Sequence, residues 1–330
     1  MTLSTLSNYK LFALISLLIS LVFPYAAQRP NQSVPTGPSS ITSEHLVFTA
    51  AVTASNGTFV IGLEKDNFEV LIDKVPARIL YARTEDVPLS VGIIFDSSAS
   101  VGDPGSKKAT RTMMNDLQRA LNGFIERSNP ASEYFLLAFN DKPQLLLDWT
   151  SDSRAIVDTL GAVQPKGITA FYDACYLAVD KVQHGRYPKR VLIVISDGMD
   201  TNSRYFFKHV REALKESNVL LYSLNVSSPP DAGSNMPLEG ERVLNELSEL
   251  TGGMSYRQAA GRRLQSRDAE SVLQIIAIEL QNQYSIAIVP AVLKANDSQW
   301  HKLKVKVTPP GNAAEMKLSA RTRQGFYLKR

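Results

Sequence analysis

Three oxygen-bearing residues stand two apart in Asp96-Ser97-Ser98-Ala99-Ser100, a spacing that lets a tight loop turn alternate side chains toward one point. Two further pieces have the same character. Gly167-Ile168-Thr169-Ala170 offers a hydroxyl, and Ile195-Ser196-Asp197-Gly198 a second carboxylate. Asp96, Ser98, Ser100, Thr169 and Asp197 together form a hard-oxygen donor set suited to Mg²⁺ or Mn²⁺ rather than to zinc. Neutral hydroxyls leave such an ion electron-poor. If the aspartates act partly through water, the ion keeps net positive charge and an open position, which a carboxylate from a partner can fill.

Other chemistries lack their parts. A phosphatase of the haloacid dehalogenase type also places an aspartate after a first strand, but it wants a carboxylate two residues on, where this chain has Ser98. There is no Gly-x-Ser-x-Gly elbow and no His-Glu-x-x-His pair. The stretch Gly102–Lys108 lacks the spacing of a phosphate loop, so Asp103-Pro104-Gly105 reads as a turn before a helix. His45, His184, His209 and His301 share no ligand spacing. The lone Cys175 falls on an apolar helical stripe and reads as core, which excludes a disulfide framework and a multi-cysteine metal site. No general acid–base pair is visible, so the chain reads as a binding protein and not an enzyme. A net charge of +4 over 330 residues, with basic pairs dispersed among acids, does not point to nucleic acid.

The elements that must position the oxygens alternate. Short apolar runs at Leu89–Phe95, Tyr134–Phe139, Val191–Ile195 and Val219–Val226 read as strands covered on both faces. Between them, Leu117, Leu121 and Phe124 recur at helical spacing, as do Ala174, Ala178 and Val182, and later Val243, Leu244, Leu247 and Leu250 before Gly252-Gly253. This alternation predicts an α/β fold with a doubly wound, mostly parallel, Rossmann-like sheet. The carboxyl ends of such strands form the ligand crevice, and the Asp96 and Asp197 pieces directly follow two of them.

The flanks read differently. Residues 44–86 carry period-2 patterning (Phe48, Ala50, Val52; Phe68, Val70, Ile72) and an Asn56-Gly57 turn signal, and residues 283–330 repeat the style. In His301–Val307, Leu303, Val305 and Val307 alternate with Lys302, Lys304 and Lys306, one face buried and the other a solvated lysine row. Each flank is short for a core of its own, so the two are expected to pair into one small β-sandwich-like domain with the α/β domain of 87–282 between them. At the start, Lys10 precedes an apolar run, Leu11–Phe23, and then Ala26-Ala27. Residues 1–27 read as a secretory signal peptide and 28–43 as a Pro/Ser/Asn-rich linker. The expected location is extracytoplasmic: periplasm, cell envelope or outside the cell, with membrane attachment only through an uncleaved signal.

Residues 87–282 resemble a von Willebrand factor type A domain. The resemblance rests on Asp96-x-Ser98-x-Ser100, on Gly167-x-Thr169-Ala170-x-Tyr172-Asp173-Ala174 and on Ile195-Ser196-Asp197-Gly198-x-Asp200. In that family these form a metal-ion-dependent adhesion site (MIDAS). By the resemblance Ser98, Ser100 and Thr169 are direct or near-direct ligands, and Asp96 and Asp197 act directly or through water. Asp200 is not a ligand and is expected to cap the next helix. Ala99 and Val101 stand where Gly and Met are common. The flanks are similar to an exported bacterial group of type A proteins, first defined from acidobacteria. They match in Gly62-Leu63 to Asp66-Asn67-Phe68-x-Val70, with Asn67 where the pattern has Asp, and in Tyr284, Pro290, Trp300-His301 and Arg323-Gln324-Gly325-Phe326. The resemblance implies an adhesion-type protein using Mg²⁺ or Mn²⁺ to capture an Asp or Glu of a protein partner. A metal-dependent hydrolase at the same crevice, or a cell-envelope scaffold stapled by the ion, are the alternatives.

Overall fold

The computed structural model describes residues 45–99, 107–226, 239–257, 268–290, 298–311 and 316–328. Ser100, Val101, the Asp103-Pro104-Gly105 turn, the signal of 1–27 and the linker of 28–43 lie outside them. Three strands come first: β1 (Leu46–Ala54), β2 (Phe68–Ile72) and β3 (Val75–Thr84). The middle runs β4 (Leu89–Asp96), α1 (Lys107–Arg127), β5 (Glu133–Phe139), β6 (Pro143–Thr150), α2 (Ser153–Gly161), α3 (Phe171–Gln183), β7 (Lys189–Ser196), α4 (Phe207–Glu216), β8 (Val219–Asn225), α5 (Glu239–Thr251), β9 (Ser255–Arg257) and α6 (Ala269–Asn282). Four strands close the chain: β10 (Tyr284–Val289), β11 (Trp300–Val307), β12 (Leu318–Thr322) and β13 (Gly325–Tyr327).

The middle elements form a six-stranded sheet in the order β6-β5-β4-β7-β8-β9. It is parallel except for β6, which returns antiparallel along β5. Residues of β4, β7 and β8 are apolar on both faces because helices cover both. α1, α2 and α6 pack on Val91, Ile93 and Phe95, and α3, α4 and α5 on Ile94, Leu192 and Val194. Cys175 is fully buried in the second layer, as its stripe predicted. From β4 the chain moves first to β5 on one side and later to β7 on the other, so the carboxyl end of β4 is the switch point where loops part and leave a crevice.

The flanks join in one seven-stranded antiparallel sheet, ordered β12-β1-β10-β3-β2-β11-β13. Two facing sheets were expected; instead one sheet curls until β11 lies against β12. A bulge at Ala287/Ile288 between β10 and β3 adds local twist to that sheet. Curling lets the sheet cover its own apolar face, with Phe48, Val70, Ile72, Ile286 and Phe326 inside. Leu303 and Val305 point in and Lys302, Lys304 and Lys306 out, as their alternation predicted, and Lys306 meets Glu69 at 2.8 Å. The tail residues pack together: Gly325 abuts the Trp300 ring and His301 carbonyl, and His301 Nδ1 lies 2.7 Å from the Asp73 carboxylate. Asn67 uses both halves of its amide, accepting from the Glu64 N–H and donating to the Thr308 carbonyl, a pair of bonds an ionised aspartate cannot make.

The two sheets meet at the end of the parallel sheet opposite the crevice. Glu279 of α6, only 1% exposed, accepts from Arg321 of β12 at 2.6 Å and from the Tyr222 hydroxyl at 2.5 Å. Arg323, also buried, donates to the carbonyls of Lys215, Ser217 and Gly325 and to Asn218 Oδ1. Removing one partner of a buried ion pair strands the other charge. Arg321→Ala should therefore lower the unfolding free energy in urea by about 3–5 kcal/mol, and Arg321→Met combined with Glu279→Leu should recover most of the loss.

Candidate functional site

Asp96 closes β4 and is fully buried. Its Oδ1 accepts from the Ser98 N–H at 2.9 Å, and its Oδ2 from the Ser196 hydroxyl at 2.8 Å. Ser196 Oγ in turn accepts from the Gly198 N–H, so the last residue of β7 couples Asp96 to the loop that carries Asp197. That loop needs glycine at 198: φ is +76° there, and a Cβ would fall 2.3 Å from the Gly240 carbonyl oxygen. Ser98 is buried and Asp197 half-buried, its Oδ1 accepting from the Met199 N–H.

Thr169 lies in the α2–α3 connection, which is tied to the loop after Asp96. The Ser97 and Ala99 segment holds that connection by two backbone bonds, Ala99 N–H to the Gly167 carbonyl and Lys166 N–H to the Ser97 carbonyl. Gly167, at φ +81°, sits against the Asp141 carboxylate, which also accepts from the Ile168 N–H at 2.8 Å. Thr169 is buried, and its carbonyl accepts from both Thr201 and Asn202 N–H. Backbone ties thus bind the loops bearing Asp96, Ser98, Thr169 and Asp197 at one end of the sheet; Ser100, expected in the set, lies outside the described residues.

Burial pushes the Asp96 carboxyl up to about 6 despite the Ser98 and Ser196 hydrogen bonds, and the nearby Asp197 charge adds to the rise. Among the described residues no lysine or arginine pairs with Asp96. Two neighbouring carboxylates, one of them desolvated, with hydroxyls beside them, are a donor set that a divalent cation would neutralise. Among the described residues no three His, Cys, Asp or Glu side chains gather as a metal site, so a cation here depends on the hydroxyls as well.

Several contributors were not read from the sequence. Ser196 was noted only as part of its tripeptide, yet it carries the link between strands. Asp200 does cap a helix, but α3 rather than the next one: its Oδ1 accepts from the Tyr172 N–H at 3.2 Å. The start of α4 is held instead by His209 Nδ1, which accepts from the Phe206 N–H. Asp173, a buried carboxylate in the first turn of α3, accepts from the Arg204 and Tyr205 N–H groups, both at 2.9 Å.

Residues 91–199 match the family model of the von Willebrand factor type A domain, a span that holds all five candidate donors. The chain carries a von Willebrand factor type A domain. No match was found among curated proteins. Among solved structures, this type A protein is similar to an aerotolerance-related membrane protein from Bacteroides fragilis, at 19% identity and TM-score 0.45, covering 58% of this chain and 98% of that one. It is similar to the PilB minor pilin from Streptococcus sanguinis, at 12% identity and TM-score 0.46, covering 60% and 62%. A third likeness is to proximal thread matrix protein 1 from the mussel byssus, solved with a zinc-occupied MIDAS motif, at 16% identity and TM-score 0.44, covering 62% and 49%.

The raised Asp96 carboxyl sets a pH dependence for the type A domain. Between 3.8 and about 6 the folded chain holds a proton that the unfolded chain releases, so in chelator its contribution to stability falls as pH rises through that window. The loss is on the order of 3 kcal/mol above it. Denaturation of wild type and Asp96→Asn in chelator across pH 4–8 should show this difference, the wild type losing stability relative to the variant as pH rises toward 6.

Proposed function

We propose that this protein is an exported binding protein whose type A domain holds Mg²⁺ or Mn²⁺ and captures an Asp or Glu side chain of a protein partner. The carrying observation is the fully buried Asp96 carboxylate, beside Asp197 and without a side-chain cation among the described residues. Asp96, Ser98, Ser100, Thr169 and Asp197 would hold the ion. Bound there, it would supply an electrophilic point with a position open to a carboxylate oxygen. Asp96, anchored by Ser98 and Ser196, fixes the floor of the crevice. Ser98 and Thr169 contribute neutral oxygens, which leave the ion's charge undiminished. Ile168 and Met199, 51% and 39% exposed, flank Thr169 and Asp197 and give a partner apolar surface beside the ion. Affinity would come from that surrounding surface, and geometry from the ion.

The same donors support binding rather than turnover: the Ser196 hydroxyl beside the Asp96 carboxylate is fully buried and engaged by the Gly198 N–H, so it is not presented to a substrate as a nucleophile. The signal-like residues 1–27 support an extracytoplasmic location. The flank pattern supports a likeness to the exported bacterial type A group, with the α/β domain of 87–282 carried between 44–86 and 283–330.

Calorimetric titration of Mg²⁺ and Mn²⁺ into residues 28–330 should show one saturable site in the wild type and none in Ser98→Ala. Material captured from envelope extracts on the immobilised wild type should be released by chelator and be missing on Asp96→Ala, with both variants keeping the wild-type circular dichroism. Capture indifferent to chelator would overturn the reading.

A further inference from the structure

The α3 helix begins without a cap of its own. Its N-cap residue is Ala170, which has no side-chain acceptor, and the free N–H groups of the first turn are met from thirty residues downstream. Asp200 Oδ1 accepts from the Tyr172 N–H, and Ser203 Oγ from the Asp173 N–H at 3.0 Å, while the Ser203 hydroxyl donates to Asp200 at 2.5 Å. The exchange is reciprocal. Asp173, 6% exposed, sends its Oδ1 away from its own helix to the Arg204 and Tyr205 N–H groups, and its Oδ2 lies 3.3 Å from Arg204 Nε. A few residues up, Thr201 Oγ1 accepts from the Thr169 N–H at 3.1 Å, and the Thr169 carbonyl accepts from Thr201 and Asn202.

The loop after Asp197 therefore caps the helix after Thr169, and that helix caps the loop. Neither can take its position alone. An ordinary capped helix would need one Ser, Thr or Asp at position 170; here a buried carboxylate is kept in place to tie two loops together.

We infer that Asp173 is the positioning residue of the cation crevice: through the 200–205 segment it holds Thr169 and Asp197 in one fixed arrangement before any ion arrives. This rests on the cation-site reading above. It touches neither the ion nor the partner. Residues that orient metal ligands through hydrogen bonds typically cost about 10- to 100-fold in metal affinity when removed. The oxygen of an asparagine can still accept both N–H groups, so Asp173→Asn should keep the tie and Asp173→Ala should lose it.

The test has a metal-free arm and a metal arm. In chelator, hydrogen exchange at Arg204 and Tyr205 should accelerate in Asp173→Ala and stay near wild type in Asp173→Asn. In Mg²⁺ titrations Asp173→Ala should bind at least about 10-fold more weakly, with Asp173→Asn within about 3-fold of wild type. Ile156→Val, a core change in α2, should lower the melting temperature without altering Mg²⁺ affinity. If Asp173→Ala does not fold, Thr201→Val and Ser203→Ala carry the same expectation with smaller losses. Wild-type affinity in Asp173→Ala, or in both of those variants, would overturn the inference alone. Absence of Mg²⁺ and Mn²⁺ binding in the wild type would overturn the cation reading and the role of Asp173 with it.

Discussion

A carboxylate withdrawn from water at the point where a parallel sheet divides is the constraint around which this molecule is arranged. Asp96 ends β4, from which the chain steps first to β5 on one side and later to β7 on the other, so the loops beyond these strands leave in opposite directions. Its two oxygens are each spoken for, one by its own loop and one by the end of β7. A charge held this way disfavours its own ionised form, and the surrounding hydroxyls do not cancel it. The glycines at 167 and 198, the crossed backbone bonds and the reciprocal caps tie the neighbouring loops to one another.

The far end of the same sheet carries a second buried charge with the opposite solution. Glu279 is met by Arg321 from a strand that belongs to the other sheet, and Arg323 spreads its donors over three carbonyls and an amide. Charge is met by a cationic side chain at this end, whereas among the described residues none meets Asp96 at the other. Burial alone does not separate the two, since Asp96 and Glu279 are both almost wholly inside.

The sequence disclosed what has local periodicity or local spacing. β4, β5, β7 and β8 stood out because both faces are apolar, and the lysine alternation in β11 because one face is wet. The proposed donors stand out in the sequence because their pieces follow apolar runs or precede a helix, and the structure describes Asp96, Ser98, Thr169 and Asp197 of the five. β6 escaped because its pairing with β5 shifts register twice and its exposure follows no period. The curl escaped because the same inward alternation serves one bent sheet or two flat ones. Asp173 and Asp200 escaped as a pair because each looks like an ordinary helix-start residue, and their exchange spans about thirty positions with an uninformative alanine at the cap. Asp200 was read as serving the helix that follows it, which is what local spacing favours, whereas the fold turns it back on the helix before.

The interleaving of the flanks has a consequence for how the polypeptide reaches this state. β1 pairs with β10 and β12, and Thr322 bonds to the Thr49 carbonyl from 273 residues away. Contacts of such sequence separation cannot form until nearly the whole chain is present, and closing a loop that long carries an entropic cost before any of the sheet's apolar face is covered. The parallel sheet closes over shorter separations, its widest pairing being β4 with β7, Leu89 opposite Lys189. The portion that bears Asp96 and Asp197 can therefore organise at lower closure cost, while β1 has to wait for partners from the far end of the chain.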